Sequence, residues 1–316
     1  MDFDGEKIYK CGDELTKIYK CGEVVWSANT TPDYSAMPLT FETTTIGTKI
    51  VFNFPQDFTI QYSRDGNHWN TITDTRVEFA LWSTKPDGTY YTVPLMIKAD
   101  NPTYCLSYPS VTTLSASTGP FIVYGNMMSL INSTNYSSLT SLTAKSAFRC
   151  FFKDCTGLTS AENLILPAIS LSDNCYSELF RNCTSLTIPP VLPATTLAPY
   201  CYRSLFNGCT SLQTAPALPA TTLAIYCYTW MFKDCPFSKA PELLATEKVS
   251  GAYSNMFYNC TNLNWVKCML LGEYMTAGSD WLKNVSPTGT FVKNPNSTWE
   301  SGVRGVPEGW TIVDSE

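Results

Sequence analysis

The chain has 316 residues, of which 44% are hydrophobic and only 15% charged, and its formal net charge is −6. Nucleic-acid binding needs clustered lysine and arginine to neutralise phosphates, so this acidic balance without a basic run argues against it. No stretch approaches the roughly 18 apolar residues of a membrane span. The first residues lack the basic and hydrophobic segments of a signal peptide, so no leader is predicted within this chain.

The first 29 residues contain a short duplication, Lys-Ile-Tyr-Lys-Cys-Gly at 7–12 and again at 17–22, followed by the apolar segment 23–26. Alternating apolar residues with a glycine at each turn predict a small β-hairpin unit over 1–29. Such a unit is too small to fold alone. It is either a simple N-terminal hairpin or an attachment module that pairs with a neighbouring domain or chain, and both interpretations stay open.

Residues 30–125 are predicted to form a β-sandwich-like domain. Strand-length segments rich in aromatic and β-branched residues, such as 50–54, 77–82 and 121–124, alternate with turn sequences. Two of these turns contain Asp-Gly between apolar segments, which is the pattern of a hairpin whose glycine adopts a positive φ. Several short strands at this spacing are typical of a sandwich.

One phrase is repeated five times between Ala147 and Cys268, in copies that begin at 147, 175, 201, 227 and 252. The cysteine that closes the phrase recurs at intervals of 28, 26, 26 and 25 residues, at Cys155, Cys183, Cys209, Cys235 and Cys260. After its closing cysteine, the fourth copy is one residue shorter than its neighbours. A period in the twenties predicts a solenoid, in which each copy leans on the next.

Each copy is predicted to contain a short strand, a turn and a helix of one to two turns. An aromatic residue stands four positions before a phenylalanine, as Tyr202 does before Phe206, which places both on one helical face. Leucines such as Leu212 and Leu218 recur downstream, and Pro219 ends any strand there. The predicted fold is therefore α+β and multidomain. Its domains are the hairpin unit 1–29, the sandwich-like domain 30–125, the repeats 126–268 and a C-terminal cap 269–316.

The thirteen cysteines are interpreted as small buried side chains, most of them reduced. Cys175, Cys201 and Cys227 begin their copies, but Ala147 and Ala252 hold the same position in the first and fifth. Small volume is what these residues share, and free cysteine meets that requirement. The chain has no Cys-x-x-Cys motif and only one histidine, so neither a metal nor another cofactor is predicted.

No catalytic signature is present in the sequence, so the protein is predicted not to be an enzyme. The sole histidine, His68, lies in the turn Asp-Gly-Asn-His-Trp and is interpreted as an exposed turn residue. Phosphate-binding loops and His-Glu metal motifs do not occur. A glycosidase pair of carboxylates needs no fixed spacing, so a carbohydrate-active centre in residues 37–125 remains a weaker alternative.

Residues that differ between copies, while the apolar positions stay fixed, are the candidates for binding a partner. Trp230 is the most distinctive, since its counterparts are Glu178, Ser204 and Asn255. An exposed tryptophan could anchor a partner, whereas a buried one would only pack under a loop. The candidate partner-binding residues are Glu178, Arg203, Gln213, Thr229, Trp230 and Lys239.

The repeated phrase Cys-Tyr-x-x-Leu/Met-Phe-x-x-Cys-Thr-Ser-Leu, followed by Leu-Pro-Ala-Thr-Thr-Leu, resembles the BspA-like, or treponemal-type, leucine-rich repeats of bacterial surface proteins. The ending, with Gly-Thr-Phe-Val-Lys-Asn-Pro at 289–295, resembles the tail after such repeats in proteins of gut bacteria and their phages. This resemblance implies a right-handed leucine-rich-repeat solenoid, a role in recognition or adhesion, and a cell-surface or virion location. It implies no catalytic residue.

Two main functions follow as hypotheses. The first is a non-enzymatic recognition or adhesion protein whose repeats bind a protein or glycan, since stacked repeats build extended surfaces. The alternative is a structural component of a phage virion, associated with the tail, whose repeats serve assembly. A stable symmetric oligomer would favour assembly and a monomer would favour recognition.

Overall fold

The computed structural model describes residues 17–20, 23–27, 32–53, 59–101, 113–271, 280–302 and 305–316. The chain divides into two compact units, Met1–Tyr34 and Ser35–Glu316. In the first unit β1 (Lys17–Lys20) pairs antiparallel with β2 (Glu23–Ser27), at the second copy of the duplicated hexapeptide. The first copy of that hexapeptide, 7–12, lies outside the described residues.

The second unit is built from β-strands and turns. Its first strands, in chain order, are β3 (Leu39–Glu42), β4 (Lys49–Asn53), β5 (Ile60–Ser63), β6 (Asn70–Ile72), β7 (Arg76–Ala80), β8 (Trp82–Thr84), β9 (Tyr90–Thr92), β10 (Leu95–Lys98), β11 (Thr113–Ser117) and β12 (Phe121–Asn126). Within and after the repeats lie β13 (Leu158–Ser160), β14 (Leu164–Ile165), β15 (Trp265–Cys268), β16 (Gly289–Lys293) and β17 (Trp310–Asp314). Short 3-10 helices cover Tyr34–Ala36, Met127–Leu130 and Tyr136–Ser138.

The N-terminal strands form two sheets and a separate hairpin. The larger sheet has the order β13-β12-β3-β10-β5-β6, the smaller has the order β11-β4-β7, and β8 pairs with β9. Side chains alternate between buried and less buried along β10 and along the first four residues of β12, the period of two expected for a strand with one covered face. The sheets meet where Phe41 of β3 packs edge-to-face on Phe52 of β4, with ring centroids 5.4 Å apart.

The larger sheet continues into the first repeat copy, so the strands of the predicted sandwich-like region share a sheet with the repeats. Strand β12 pairs with β3 on one side and with β13 and β14 of copy one on the other, in parallel orientation. Phe151 and Phe152 of this copy pack against Phe52 and Phe41, at 6.3 Å and 6.2 Å between ring centroids. One continuous hydrophobic core therefore joins the sheets and the repeats.

The predicted α+β class is wrong, because the described residues contain no α-helix. The segment predicted to be helical is a run of turns, in which positive φ recurs at Asn174, Tyr176, Glu178 and Asn182 of copy two. A right-handed helix needs negative φ at every residue and bonds from each amide to the carbonyl four positions earlier. Here alternate amides bond three positions back, as Leu179 N does to Tyr176 O.

The remaining amides of this turn segment donate to a neighbouring copy, most of them to the next one, which explains why the helix does not form. Glu178 N donates to Arg203 O at 2.8 Å and Phe180 N donates to Leu205 O at 3.0 Å. Half of the backbone donors thus hold adjacent copies together. The same arrangement recurs in every copy, and all sixteen non-glycine residues with positive φ in the described chain lie between Ser146 and Asn284.

The side of the copies opposite the turn segment contradicts the predicted leucine-rich-repeat solenoid. In that solenoid each coil would contain a short strand, a turn and a helix. Copies two to four have no assigned strand among their described residues and meet their neighbours through isolated bridges, such as Ser160 with Ile188 and Lys239 with Trp265. Prolines such as Pro193 and Pro219, which cannot donate a backbone hydrogen bond, interrupt this side. The copies form a stack without a continuous sheet.

Equivalent side chains of successive copies lie directly over one another. In the phenylalanine row, Phe152, Phe180 and Phe206 have ring centroids 5.3 and 5.4 Å apart, with planes within 4° of parallel. A parallel row contains Phe148, Tyr176, Tyr202, Tyr228 and Tyr253 at 5.9–6.0 Å. Each aromatic pair adds about 0.5–1.5 kcal/mol beyond the burial of its area, so these rows stabilise the stack.

The C-terminal residues extend the stack. Strands β15, β16 and β17 form a parallel three-stranded sheet, and Trp281 packs on Phe257 and Phe291. Residues 281–284 form a turn whose carbonyls accept bonds from Phe257 N and Asn259 N, as those of a sixth copy would. The last hydrophobic layer of the repeats is therefore covered by aromatic side chains.

Ten cysteines fall within the described chain, and all ten are buried and free. The other three, Cys11, Cys21 and Cys105, lie outside it. The closing thiols share one contact: Cys183 Sγ donates to Phe152 O at 3.0 Å, and Cys209 Sγ donates to Phe180 O at 3.0 Å. Cys235 and Cys260 repeat this bond one copy further along.

Candidate binding surfaces on the repeats

The six residues singled out from the sequence fall in three places. Gln213 and Lys239 are exposed and lie on one groove. Glu178, Arg203 and Trp230 lie on the turn side of the stack, where the first two form an ion pair. Thr229 is buried, and its hydroxyl donates to Gly251 O at 2.7 Å, so it serves the structure and is not accessible to a partner.

The groove lies where two adjacent copies separate. On the turn side copies three and four are joined, as by Phe206 N to Met231 O at 2.9 Å. On the opposite side no backbone hydrogen bond links the described segments 214–219 and 238–244. Copies one and two do make such bonds at Thr196, and copies four and five make them at Ala240 and Leu243, while copies two and three make a single one nearby, from Gln213 N to Thr187 O at 3.3 Å. The stack is therefore closed on one side and open on the other at this junction.

The floor and walls of the groove are apolar and its rim is polar. It encloses about 630 Å³, and its apolar lining consists of Ala215, Ala217, Leu218, Pro219, Phe237, Ala240, Pro241 and Leu244. Gln213, Thr214, Ser238, Lys239 and Glu242 complete the rim. The ammonium of Lys239 lies 4.3 Å from the centroid of the Trp265 ring, while Glu242 pairs with Lys267 at 2.9 Å. A cation and an anion are thus fixed on one wall.

The short fourth copy supplies one wall of the groove. One residue is missing between Cys235 and Lys239, and Phe237 fills the layer where copy three has Leu212. The ring of Phe237 packs edge-to-face on Phe232 at 5.3 Å. The shortened loop therefore leads directly into one wall of the groove, to which Phe237, Ser238 and Lys239 contribute.

The second surface is a cluster of four cationic side chains around one carboxylate. Arg181 Nη1 lies 2.9 Å from Glu178 Oε2, Lys153 Nζ lies 3.4 Å from the same oxygen, and Arg149 and Arg203 approach Oε1 to 3.5 and 3.9 Å. The carboxylate is only 8% exposed, whereas the exposed fractions of the cationic side chains lie between 20% and 39%. The acid therefore lies beneath a layer of positive charge.

Burial opposes the ionisation of Glu178, but its basic neighbours outweigh that effect. The hydrogen bond from Arg181 and the charges of Lys153, Arg181 and Arg149 hold the pKa of the carboxyl below its usual value. Glu178 is thus ionised at neutral pH. One negative charge among four positive ones leaves this surface with a local net charge of about +3 in a chain whose total is −6.

Trp230 borders this cluster and is partly accessible. Its side chain is 37% exposed, and the guanidinium of Arg203 lies 5.5 Å from its ring centroid. The structure thus combines both sequence interpretations of Trp230, because one part of the indole contacts protein and another part faces solvent. A flat aromatic surface next to an arginine offers stacking and charge to the same ligand.

Sequence comparison of the copies missed most of the basic cluster. Lys153 and Arg181 occupy equivalent positions two residues before the closing cysteine, and Arg149 and Arg203 share another position. Tabulating the charge at each position of the copies would have found both pairs. The groove has no such signal, since Phe237 and Leu244 are ordinary core-type residues until the relative placement of copies three and four is known.

Outside the repeats, His68 is exposed in its turn, and its Nδ1 lies 2.6 Å from Asp65 Oδ2. Backbone and side-chain hydrogen bonds from His68 lower the pKa of Asp65 below its ordinary value. Across the described ranges, no group of three or more His, Cys, Asp and Glu is arranged to hold a metal ion. Over those same ranges, no helix has the length and apolar character to cross a membrane.

Comparison of the chain with models of protein families, with curated proteins and with solved structures returns no match.

Proposed function

We propose that this chain is a non-enzymatic recognition protein, which holds an extended polypeptide segment of a partner in the groove between copies three and four. The observation that supports this proposal is the open junction, where two backbone segments face each other without bonding. An inserted strand would pair with these backbone groups, as peptides do when they add to an exposed sheet edge. A bacterial surface or a phage virion remains the proposed setting.

The lining of the groove fits such a partner. Ala217, Leu218 and Leu244 offer small and medium apolar contacts for the alternate side chains of an extended segment. Lys239 and Glu242 at the rim favour a segment that carries both signs of charge. Affinity would come from the main chain and the apolar wall, whereas the rim charges would set specificity.

The proposal can be tested with a display library of linear peptides selected against the full chain. We expect binders whose affinity falls at least about tenfold in Leu244→Asp, because a carboxylate on the apolar wall is costly to cover. The matched control is Val191→Asp, which changes an apolar side chain that is 72% exposed and does not line the groove. Its affinity should equal that of the unchanged protein.

Hydrogen exchange adds a second measurement. A bound peptide should slow amide exchange in 214–219 and 238–244, where the backbone lacks partners across the junction. Failure to select any binder, or equal loss of affinity in the two aspartate variants, would contradict the proposal. Protection confined to other parts of the chain would contradict it as well.

A further inference from the structure

The basic cluster at Glu178 points to a second ligand site on a different side of the same repeats. Lys153, Arg181 and Arg203 come from three consecutive copies. Each has a side-chain nitrogen within 3.9 Å of a carboxylate oxygen of Glu178. Neutralising a single carboxylate requires one cation, and Arg181 at 2.9 Å already provides it. The remaining cations are partly exposed to solvent and add positive charge that the fold does not need.

The arrangement also keeps these cations in place. Glu178 is held by the backbone bond from its amide to Arg203 O at 2.8 Å, so its carboxylate is a fixed counter-charge beneath the surface. Arginine presents a planar fork of donors that matches the two oxygens of a carboxylate or sulfate. Since the cluster is ordered before any ligand arrives, binding loses little side-chain entropy.

Next to the charged cluster lies a row of equivalent positions whose side chains could contact a sugar ring. The positions equivalent to Glu178 in the following copies hold Ser204, Trp230 and Asn255. The indole of Trp230 is 37% exposed beside Arg203, and Asn255 is partly exposed in the adjacent copy. An inorganic anion would use the cations alone. A saccharide that bears an acidic group would use the cations, the flat apolar face of the indole and the amide together.

We propose that the surface formed by Lys153, Arg181, Arg203 and Trp230 binds an acidic glycan, with its carboxylate or sulfate group on the arginines and a sugar ring against Trp230. This site goes beyond the proposed peptide groove and does not depend on it. Carboxylated and sulfated sugars share the oxyanion chemistry that the cluster recognises, and the experiment below separates them.

The test measures binding of three saccharides of similar length to the full chain by titration calorimetry. The probes are an oligomer of galacturonic acid, a sulfated dextran and an uncharged dextran. We expect one or both acidic probes to bind and the uncharged probe not to bind. Affinity should fall at least about tenfold in Arg203→Gln, which loses a charge-assisted hydrogen bond. It should fall about threefold or more in Trp230→Ala, which loses the stacking surface.

Controls separate this site from nonspecific charge and from misfolding. Lys248→Gln removes one positive charge from an exposed position of the repeats outside the cluster, and it should leave affinity unchanged. Glu178→Gln removes the competing carboxylate, so affinity for the acidic probe should rise several-fold if the cations serve a ligand. The peptides selected for the groove should bind all of these variants equally well.

Several results would overturn the proposal. Absence of binding by both acidic probes at low salt would do so, as would an Arg203→Gln variant that binds as tightly as the unchanged protein. Equal binding of inorganic sulfate, insensitive to Trp230→Ala, would show an anion site without a sugar. Tighter binding of polyglutamate than of either acidic saccharide would show that the partner is an acidic peptide.

Discussion

At the scale of single residues, the closing cysteines do more than fill a small space. Each closing thiol from Cys183 to Cys260 donates to the carbonyl of the phenylalanine in the preceding copy, at 2.9–3.2 Å. The leading position has no equivalent requirement, since Ala147 and Ala252 occupy it in two copies. This difference explains why cysteine closes all five copies but begins only three.

The tyrosine row contains buried hydroxyls that weaken the stack. The hydroxyls of Tyr176, Tyr202 and Tyr228 are buried and make no hydrogen bond, and burial raises the pKa of all three phenols well above the ordinary value. An unpaired buried hydroxyl costs about 1–3 kcal/mol. Phe148 holds the same position in copy one and stacks on Tyr176 at 5.9 Å, so the ring alone is sufficient there.

We therefore expect Tyr202→Phe to raise the free energy of unfolding by about 1 kcal/mol, because it removes a desolvated hydroxyl and keeps the ring. Urea unfolding followed by circular dichroism measures this change. The control is Tyr136→Phe, whose hydroxyl donates to Ala36 O at 2.7 Å, and it should lower stability by about 1 kcal/mol. A Tyr202→Phe variant less stable than the unchanged protein would contradict this explanation.

At the scale of the element, the repeated turn segment is the part that sequence reasoning described least well. The spacing of Tyr176 and Phe180 indicated that both are buried, which they are, but that spacing fits a helix and a run of alternating turns equally. A distinguishing signal stands one position before the closing cysteine, where only residues tolerant of positive φ occur. These residues are Asp154, Asn182, Gly208, Asp234 and Asn259.

The burial of the rows could be predicted because it depends only on which positions of a copy are apolar in every copy. Leu186, Leu212 and Leu263 each stand three residues after a closing cysteine and are all fully buried. The basic cluster and the groove could not be predicted in the same way, since both depend on how neighbouring copies approach one another. For the groove, the relevant quantity is how far copies three and four stand apart on the side opposite the turns, and no single residue encodes it.

The turn segment predicts different outcomes for two glycine substitutions. Gly208 has φ +78°, and an added Cβ would collide with the side chain of Asn182 in the preceding copy. Gly88 has φ +84° in a turn with open space around it. Gly88→Ala should cost about 1 kcal/mol from backbone strain alone, whereas Gly208→Ala should cost about 1–2 kcal/mol more because the Asn182 side chain must move and lose its hydrogen bond to Asp154. Thermal or urea unfolding measures both, and equal losses would contradict the tight stacking.

At the scale of the whole second unit, the buried thiols make stability depend on alkaline pH. Burial raises the pKa of Cys227, Cys260 and Cys268 to about 12 each, from an ordinary value of 9.0. Below pH 9 the thiols are protonated in the folded and unfolded states, and stability is unaffected. Above pH 9 the unfolded state releases protons that the folded state retains, so stability falls until the folded pKa is reached.

Each such thiol should reduce the free energy of unfolding by about 2 kcal/mol between pH 8 and pH 10.5, at about 1.4 kcal/mol per pH unit above the unfolded pKa. Urea unfolding at both pH values, with reductant present, measures the total loss. In Cys227→Ala that loss should be smaller by about 2 kcal/mol. An identical pH dependence in the variant and the unchanged protein would show that this thiol is not protonated and buried as described.

The missing residue of copy four has a consequence for how such a chain can change. Restoring one residue between Cys235 and Lys239 should lengthen the loop that carries Phe237 and Ser238, and so change the shape of the groove that they line. The shape of the proposed binding site thus depends on the length of one loop, which evolution alters by insertion and deletion. A survey of point substitutions alone would find the residues that line this groove without varying that length.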